Sequence, residues 1–290
     1  RRRTACALQH SRPTPPRLPG AMKFEGAVFV VTGGASGIGE ATTRMALSHG
    51  ARVAIWDLQA DLGEALVKEF GADRVSFSKV NVSDEGDVDA AVQACVAKFG
   101  RIDCCVNCAG VGGPGGLTVN KDHSPHKLSH FVRIVQINLV GSFLCASRCA
   151  AQMSRQEPNG DGERGLIVNI SSVAAMDGQN GQAGYSASKA GVVGMTLPMA
   201  RDLGKYGVRV NTICPGMVDT PMGGTKKPID DRDPEKMPRV GKALLTSQLF
   251  PSRRFARPAE MANLVKFMFE TPFMNAETVR LDAGIRMPKL

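Results

Sequence analysis

Short apolar runs rich in β-branched residues alternate with longer amphipathic stretches along most of the chain. An uninterrupted apolar run predicts a strand buried on both faces, and apolar residues spaced three and four apart predict a helix that covers it. The predicted strands are 28–32, 52–56, 75–79, 102–107, 166–171, 209–213 and 278–281. The predicted helices are 39–49, 62–70, 85–99, 128–155, 184–205 and 258–270. Strict alternation predicts an α/β fold with one doubly wound parallel sheet of about seven strands and helices on both faces.

The pattern delimits a single domain from residue 22 to residue 290, because the 43% hydrophobic content suits one large core and no internal repeat is visible. The interval 217–257 breaks the alternation and is rich in proline and charge, with a helix predicted near 235–249. No uninterrupted apolar run approaches the roughly 18 residues that span a bilayer, so we expect a soluble protein without a membrane span.

The formal net charge of +9 lies partly at the amino end. Residues 1–21 carry five arginines and no acid, which leaves 31 basic and 27 acidic residues from Met22 onward. An arginine- and proline-rich, acid-free segment has the composition of an organelle transit peptide, so we expect 1–21 to be disordered and the protein to be mitochondrial, or otherwise cytoplasmic. A remnant of cloning and translation upstream of a start at Met22 are the alternatives.

The cysteines give no metal-binding pattern. One pair has C-x-x-C spacing, but no second pair stands at the distance of a zinc ribbon or finger, and most cysteines fall inside predicted strands and helices. We therefore expect reduced thiols packed in the core and no metal. The eight are Cys6, Cys95, Cys104, Cys105, Cys108, Cys145, Cys149 and Cys214.

A glycine-rich turn follows the first predicted strand and opens the first predicted helix. This is the context of a dinucleotide-binding turn, in which glycines let the backbone approach the pyrophosphate and the helix amino end supplies N–H donors and partial positive charge. The spacing is G-x-x-x-G-x-G. The residues predicted to bind the cofactor here are Gly33, Ser36, Gly37, Ile38 and Gly39.

Asp57 ends the second predicted strand, where a carboxylate can accept hydrogen bonds from the adenosine ribose hydroxyls. It would repel the 2′-phosphate of NADP. Ala35 and Ser36 in the turn and Leu58 after the aspartate are not basic, so no cation is available for that phosphate. The sequence therefore predicts NAD as the cofactor, against the alternative of an ordinary aspartate at a strand end.

Ser172, Tyr185 and Lys189 form a candidate catalytic set. Tyr185 and Lys189 are four residues apart on a predicted helix and share a face, so the ammonium can favour the ionised phenol and lower its pKa. A tyrosine of lowered pKa can act as a general base near neutral pH. By itself this spacing arises often by chance and is more typical of an ordinary amphipathic helix, but the glycine turn upstream favours the catalytic interpretation.

Together, the glycine turn and the Ser-Tyr-Lys set resemble those of the short-chain dehydrogenase/reductase family, from about residue 24 to residue 288. The resemblance implies a Rossmann-like fold and NAD-dependent interconversion of a secondary alcohol and a ketone. Tyr185 is then the base, Ser172 binds the reacting oxygen, and Lys189 also holds the nicotinamide ribose. Asn138 matches the family asparagine whose helix opens locally to hold a water that links the lysine to solvent; a helix-interior asparagine bonded to backbone is the alternative.

The same resemblance implies further cofactor and substrate contacts. Asn81 and Val82 stand where the family has Asp-Val against the adenine, and Asn81 can accept from the adenine amino group through its amide oxygen. Gln182 is expected to face the substrate, and 217–257 to form the substrate lid. The segment after the fourth strand, which also braces the sheet, is expected to line the cofactor ribose with Cys108, Ala109 and Gly110. The segment that holds the nicotinamide carboxamide in this family corresponds to Pro215, Gly216 and Thr220.

Within the family the likeness is greatest to members that convert (S)-3-hydroxyacyl-CoA to 3-ketoacyl-CoA in fatty acid metabolism and form homotetramers. From Asp219 to Arg257 there are nine basic and five acidic residues, which suits a coenzyme A polyanion, although a solvated loop explains the excess equally well. Asn81 and the segment 223–240 depart from the pattern. The alternatives are a hydroxysteroid dehydrogenase and a structural subunit of an RNA-processing assembly. Nothing resembles an RNA-binding motif, and aromatic residues are only 5%, so nucleic acid is not an expected partner.

Overall fold

The computed structural model describes residues 22–112, 116–223, 248–249 and 254–287. Seven parallel strands form one sheet in the order β3-β2-β1-β4-β5-β6-β7, which confirms the predicted doubly wound arrangement. The strands are β1 (Val28–Thr32), β2 (Arg52–Asp57), β3 (Val75–Lys79), β4 (Cys104–Asn107), β5 (Gly165–Ile170), β6 (Val208–Pro215) and β7 (Thr278–Leu281).

Helices cover both faces of the sheet. They are α1 (Gly37–Ser48), α2 (Ala60–Phe70), α3 (Glu85–Phe99), α4 (Leu128–Val135), α5 (Gly141–Met153), α6 (Ala183–Gly204) and α7 (Pro258–Glu270). Successive side chains of a strand point to opposite faces, and β1 illustrates the result. Phe29 and Val31 pack with residues of α1, α2 and α7, while Val28 and Val30 pack with residues of α3, α5 and α6. The strand is therefore buried on both faces along its whole length.

The helix predicted at 128–155 is interrupted. A π-helical segment, Gln136–Val140, separates α4 from α5 and widens the helix by one residue around Asn138. The Ser142 hydroxyl donates a 2.7 Å hydrogen bond to the Asn138 carbonyl. Apolar spacing could predict the helix but not this local change of pitch, because one extra residue per turn barely alters the pattern of buried faces.

Two strand ends differ from the prediction by two residues. β4 begins at Cys104 because the Gln156 carboxamide takes both main-chain groups of Ile102: Ile102 N–H donates to Oε1 at 2.7 Å, and Nε2 donates to Ile102 O at 2.8 Å. β6 extends to Pro215, where it pairs with Leu281 of β7. The basic extension 1–21, the helix predicted near 235–249 and most of the predicted lid lie outside the described residues.

Within the described part of the chain, the continuous helical stretch 128–153 is long and apolar enough, by length and composition, to cross a membrane. Its most apolar window is half buried in the fold, and Asn138 within it is fully buried. The α5 portion contributes Leu144, Cys145 and Cys149 to the core on one face of the sheet. These contacts are those of a core helix.

The described cysteines are core residues, as the sequence predicts. Cys95, Cys104, Cys105, Cys145, Cys149 and Cys214 are buried free thiols, and Cys108 is half-buried. Burial raises the pKa of Cys95 to about 12, which keeps that thiol protonated and unreactive at neutral pH. Cys6 lies outside the described residues.

A buried ion pair braces the amino end of β6. Arg209 bonds the Glu163 carboxylate, and both side chains are only 7% exposed. The same guanidinium donates to Met268 O at 2.7 Å and to Met274 O at 2.9 Å, so it ties β6 to the end of α7. A desolvated guanidinium with this many acceptors locks the register of elements distant in sequence.

Candidate active site

A cleft of about 560 Å³ opens at the carboxyl ends of the parallel strands, where ligands bind in open α/β sheets. A second cleft of about 670 Å³, at the amino ends, contains none of the predicted site residues. The predicted residues that line the first cleft are Gly33, Ser36, Gly37, Ile38, Gly39, Asp57, Asn81, Val82, Cys108, Ala109, Gly110, Ser172, Gln182, Tyr185, Lys189, Pro215, Gly216 and Thr220. Asn138 lies behind the wall.

The glycine turn is shaped for close backbone approach. Gly33 has φ of 62°, and a Cβ there would lie 2.9 Å from the Ala109 nitrogen, so both conformation and space require glycine. Helix α1 begins at Gly37 on the cleft wall, where its first N–H groups and positive dipole end suit a pyrophosphate. The residues therefore fit the phosphate portion of a dinucleotide.

Asp57 is held by the turn that it faces. Its Oδ2 accepts from Ala35 N–H at 3.0 Å and its Oδ1 from Gln59 N–H at 3.0 Å. The Gln59 amide also donates to Ser36 Oγ at 3.2 Å, across the end of the cleft. A carboxylate oxygen can accept more than one hydrogen bond, so capacity for a ribose hydroxyl remains.

Asn81 lies on the cleft wall and is also bonded within its own turn. Its amide oxygen accepts from the Ser83 hydroxyl at 2.8 Å and from Ser83 N–H at 3.2 Å. An adenine amino group would compete with the rotatable Ser83 hydroxyl for this oxygen, so the adenine contact stays a prediction. The asparagine shapes the turn before α3, where its own N–H donates to Asp87 at 2.9 Å.

The segment after β4 braces β1 and closes the base of the cleft. Cys108 N–H donates to Thr32 O at 3.2 Å, and Ala109 N–H donates to Thr32 Oγ1 at 3.1 Å. A Cβ on Gly110 would lie 3.1 Å from Asn138 Oδ1 and 3.6 Å from Lys189 Nζ. Glycine at this position therefore lets the loop pass close to both side chains. On the opposite wall, Gly216 N–H donates to Leu281 O at 3.0 Å.

Ser172 and Tyr185 come together at the centre of the cleft. Ser172 follows β5, and its Oγ accepts from Ala174 N–H at 3.1 Å, which caps a short 3₁₀ turn over Val173–Ala175. The Tyr185 hydroxyl hydrogen-bonds the Ser172 side chain. Burial raises the pKa of Tyr185, and the bond to Ser172 opposes that rise. Two hydroxyls are thus placed to hold one substrate oxygen.

Lys189 occupies the predicted face but has a different partner. Its Nζ donates to the Ile170 carbonyl at 2.9 Å and lies 5.8 Å from the centroid of the Tyr185 ring. Burial lowers the pKa of Lys189 to about 8. We predicted that the ammonium lowers the pKa of the tyrosine; in the structure burial raises the pKa of Tyr185, and the group that opposes this rise is Ser172. The i, i+4 spacing brings the side chains together but cannot specify which acceptor the ammonium selects.

A family model described as short chain dehydrogenase matches residues 27–230. The chain belongs to this family. It is 46% identical over 264 residues to a 3-hydroxyacyl-CoA dehydrogenase type-2 of Drosophila melanogaster, covering 91% of this chain and 99% of that protein. To the Homo sapiens protein of the same name it is 44% identical, covering 91% and 96%.

Solved structures agree with this membership. A 3-hydroxyacyl-CoA dehydrogenase type-2 from Mycobacterium avium superposes with a TM-score of 0.84 at 36% identity, covering 93% of this chain and 100% of that one. A 7α-hydroxysteroid dehydrogenase complexed with NADH gives 0.77 at 25% identity, covering 92% and 97%. The protein is a short-chain dehydrogenase, an oxidoreductase that uses a nicotinamide cofactor.

Asn138 of this dehydrogenase lies in the π-helical segment, so the local opening of the helix is present. Its side chain is bonded on both sides: Oδ1 accepts from Val111 N–H at 2.8 Å, and Nδ2 donates to Val111 O at 3.0 Å and to Ser188 Oγ at 3.2 Å. The side chain therefore fixes the loop after Gly110. A water path from Lys189 to solvent stays a prediction.

Gln182 lines the cleft but is tied to its own loop, because its Oε1 accepts from Gln179 N–H at 3.0 Å. Its amide nitrogen remains to orient a substrate.

Sequence reasoning missed several wall residues. Gln59 could have been found from its place two residues after Asp57, but Met287 is brought in only by the fold of the chain end. The missed residues include Leu58, Gln59, Val111, Arg133, Ile137, Met217, Met222 and Met287.

The positive charge that we predicted to bind coenzyme A is partly neutralised in the described residues of the interval 219–257. Arg254 makes a bidentate pair with Glu260, at 2.7 and 2.8 Å, and holds the pKa of that carboxyl at about 2. Its charge is therefore offset by the carboxylate of Glu260 on α7. Arg253 and most other cations of the interval lie outside the described residues.

Proposed function

We propose that this short-chain dehydrogenase is NAD-dependent and oxidises (S)-3-hydroxyacyl-CoA thioesters to 3-ketoacyl-CoA, with short or branched acyl chains as the preferred substrates. The observation that carries the proposal is the 46% identity to a 3-hydroxyacyl-CoA dehydrogenase type-2 over 99% of that protein's length. Likeness over a whole relative includes the substrate side of the cleft as well as the cofactor side.

NAD fits the described residues. The glycine turn and the amino end of α1 suit the pyrophosphate, and Asp57 suits the adenosine ribose. When bound, the nicotinamide ring supplies the acceptor for the hydride of the substrate carbon. A 2′-phosphate beside Asp57 would meet a carboxylate, with Ala35, Ser36 and Leu58 as neighbours that provide no cation. These residues favour NAD over NADP.

The chain's own residues handle the proton. The substrate hydroxyl binds between Ser172 and Tyr185, and Tyr185 Oη takes its proton as the carbonyl forms. Ser172 holds the reacting oxygen by a hydrogen bond and supports the ionised phenol. Lys189, anchored to Ile170, places its ammonium close to Gly110 and holds the nicotinamide ribose hydroxyls. The phenolate is the required form, so oxidation should accelerate as the pH rises.

Met217, Met222 and Met287 line the substrate end of the cleft and give it an adaptable apolar wall. An acyl chain would pack there. The same wall would accept an apolar steroid alcohol, so a hydroxysteroid is the second candidate; the likeness to a 7α-hydroxysteroid dehydrogenase at a TM-score of 0.77 favours it.

The test is a panel of substrates whose oxidation is monitored by the absorbance of the NADH that forms. It compares (S)-3-hydroxybutyryl-CoA, its 2-methyl derivative, the (R)-enantiomer, the pantetheine thioester and steroid alcohols at saturating NAD. We expect the (S)-acyl-CoA substrates to have the highest kcat/KM and the (R)-enantiomer to be inactive. Steroid turnover more efficient than that of every acyl-CoA would replace the substrate assignment, whereas equal rates for pantetheine and coenzyme A thioesters would remove only a role for the nucleotide end.

We further propose a homotetramer. The helical stretch 128–153 exposes an apolar face to solvent: Leu128 is 72% exposed and Phe143 51% exposed, with Val132 and Val140 beside them. Apolar patches of this kind mark protein contacts. Sedimentation equilibrium of the wild type and of Phe143→Glu tests this: the wild type should be tetrameric and the variant smaller. A monomeric wild type would contradict it.

Mitochondrial import remains a proposal that rests on the composition of 1–21. Fusion of 1–21 to a fluorescent protein, compared with a fusion in which its five arginines are glutamines, tests it directly. Mitochondrial fluorescence is expected for the first fusion only.

A further inference from the structure

We infer that Arg280 is a positioning residue for the substrate side of the active site: by pairing with Asp177 it fixes the loop between Ser172 and Tyr185 against the chain end that carries Met287. The inference deepens the proposed oxidation of a secondary alcohol and rests on it.

The pair links two parts of the chain that are distant in sequence. Arg280 lies in β7, and Asp177 lies in the loop that joins the two catalytic hydroxyls. Arg280 Nη2 is 2.6 Å from Asp177 Oδ2, and Nη1 is 3.3 Å from Oδ1, a two-pronged contact. The two side chains are only 20% and 16% exposed, so solvent screens the pair far less than it screens a surface ion pair.

The same guanidinium organises the chain end. Arg280 Nε donates to Asp282 Oδ2 at 2.8 Å, and Nη2 donates to Ile285 O at 2.9 Å. Asp282 in turn accepts from Gly284 N–H at 3.0 Å. Every one of these contacts shapes the segment 282–287, whose Met287 forms part of the cleft wall. The Arg280 side chain therefore holds the segment 282–287 in the conformation that places Met287 in the cleft wall.

Apolar packing carries the constraint to the catalytic serine. Val173, next to Ser172, is completely buried against Ile285, and Met217 and Met287 pack around them. A shift of the chain end would move Val173, and with it the 3₁₀ turn that Ser172 caps. Arg280 also keeps the pKa of Asp177 below its usual range, so the pair stays ionised at neutral pH. The arrangement suits substrate positioning without contact to the reacting atoms.

A purely structural role for the pair predicts different behaviour. If it only held β7 in the sheet, its loss would reduce stability and cofactor affinity together, because Gly216 of the cofactor wall pairs with Leu281 beside Arg280. A positioning role predicts a selective effect on kcat and on KM for the alcohol, since displacement of about 1 Å at a reacting centre costs on the order of 100-fold.

The experiment compares Asp177→Asn, Asp177→Glu and Glu69→Gln with the wild type. Asp177→Asn keeps the volume and removes the charge, and Asp177→Glu restores it. Glu69→Gln is the control for loss of a bidentate arginine–carboxylate pair as such, because Arg44 and Glu69 form one, at 2.6 and 2.9 Å, that is half-exposed and far from the substrate wall. The measurements are Tm, Kd for NADH by fluorescence, and kcat and KM for the best alcohol found with the wild type.

We expect Asp177→Asn to lower kcat/KM by about 10- to 100-fold, while Asp177→Glu recovers most of it and Glu69→Gln changes nothing. Kd for NADH should stay within about twofold, as expected for a variant that leaves the cofactor contacts intact. Unchanged kinetics in Asp177→Asn, or an NADH affinity that weakens in parallel with kcat/KM, would overturn the inference. Lack of turnover by the wild type on the whole panel would instead reject the proposed function.

Discussion

Lys189 donates a 2.9 Å hydrogen bond from Nζ to the main-chain carbonyl of Ile170. The contact anchors the ammonium to the end of β5, one residue before Ser171 and two before Ser172. Ser171 returns the contact, because its hydroxyl donates to the Lys189 carbonyl at 2.8 Å. The strand end and α6 are therefore joined at two points, and the position of the lysine is set by the sheet and not by the phenol.

Burial of this lysine should make stability depend on pH. Its pKa is lowered from 10.5 to about 8, so between these values the unfolded chain binds more protons and stability rises with pH. From pH 7.5 to 9.5 this lysine by itself should contribute a gain of about 2 kcal/mol to the stability of the cofactor-free protein. The buried thiols, whose pKa values are raised by burial, reduce stability over the same range, so the contribution of the lysine is the difference between the wild type and Lys189→Met. Lys189→Met should lack this gain in urea unfolding. Parallel pH profiles for the two proteins would show that the ammonium is not desolvated.

Tyr185→Phe should separate chemistry from binding. The change removes the proton acceptor and leaves the glycine turn and Asp57 intact, so kcat should fall by about 100-fold or more while Kd for NADH changes little. Lys189→Ala should harm both quantities, because it removes a contact to the ribose. Stopped-flow turnover and NADH fluorescence give the two numbers. Near-normal turnover of the Tyr185→Phe enzyme at neutral pH would exclude the tyrosine as the base.

Cofactor choice should depend on the charge of Asp57. Asp57→Asn keeps an oxygen that can accept from Ala35 N–H, which is 3.0 Å away, but it removes the repulsion of a 2′-phosphate. We expect kcat/KM for NADP relative to NAD to rise by about 10-fold. Asp57→Ala should also weaken NAD binding, since the turn loses its acceptor. Equal efficiency of the wild type with both cofactors would refute the assignment.

Loss of the buried Glu163–Arg209 pair should reduce stability without changing the chemistry. Glu163→Gln leaves the guanidinium without its counter-charge, which costs about 3–5 kcal/mol in pairs of this kind. Glu40→Gln, at the half-exposed pair with Arg44, should cost less than about 1 kcal/mol. Urea unfolding measures both, and kcat per folded molecule should match the wild type. A loss below about 1 kcal/mol in Glu163→Gln would mean that the pair is effectively solvated.

The candidate site was accessible to sequence reasoning wherever spacing alone brings residues together. Gly33 to Gly39 are contiguous, and Tyr185 and Lys189 share a helix face, so local geometry dictates their proximity. Asn81 shows the limit of that reasoning. Its place after β3 correctly puts it on the cleft wall, but the turn gives its amide oxygen to Ser83, and no pattern in the sequence specifies which of several donors an oxygen selects.

The sequence by itself determined the α/β class, the alternation of strands and helices expected of a doubly wound sheet and the two hydroxyls, Ser172 and Tyr185, that meet in the cleft. These follow from periodicity and short-range spacing, which are properties of contiguous residues. Only the tertiary structure decided that Lys189 bonds Ile170 and that Arg280 reaches Asp177. Those contacts join residues far apart along the chain, or depend on which of several competing partners lies nearest, so they exist only once the sheet has brought its strand ends to one edge.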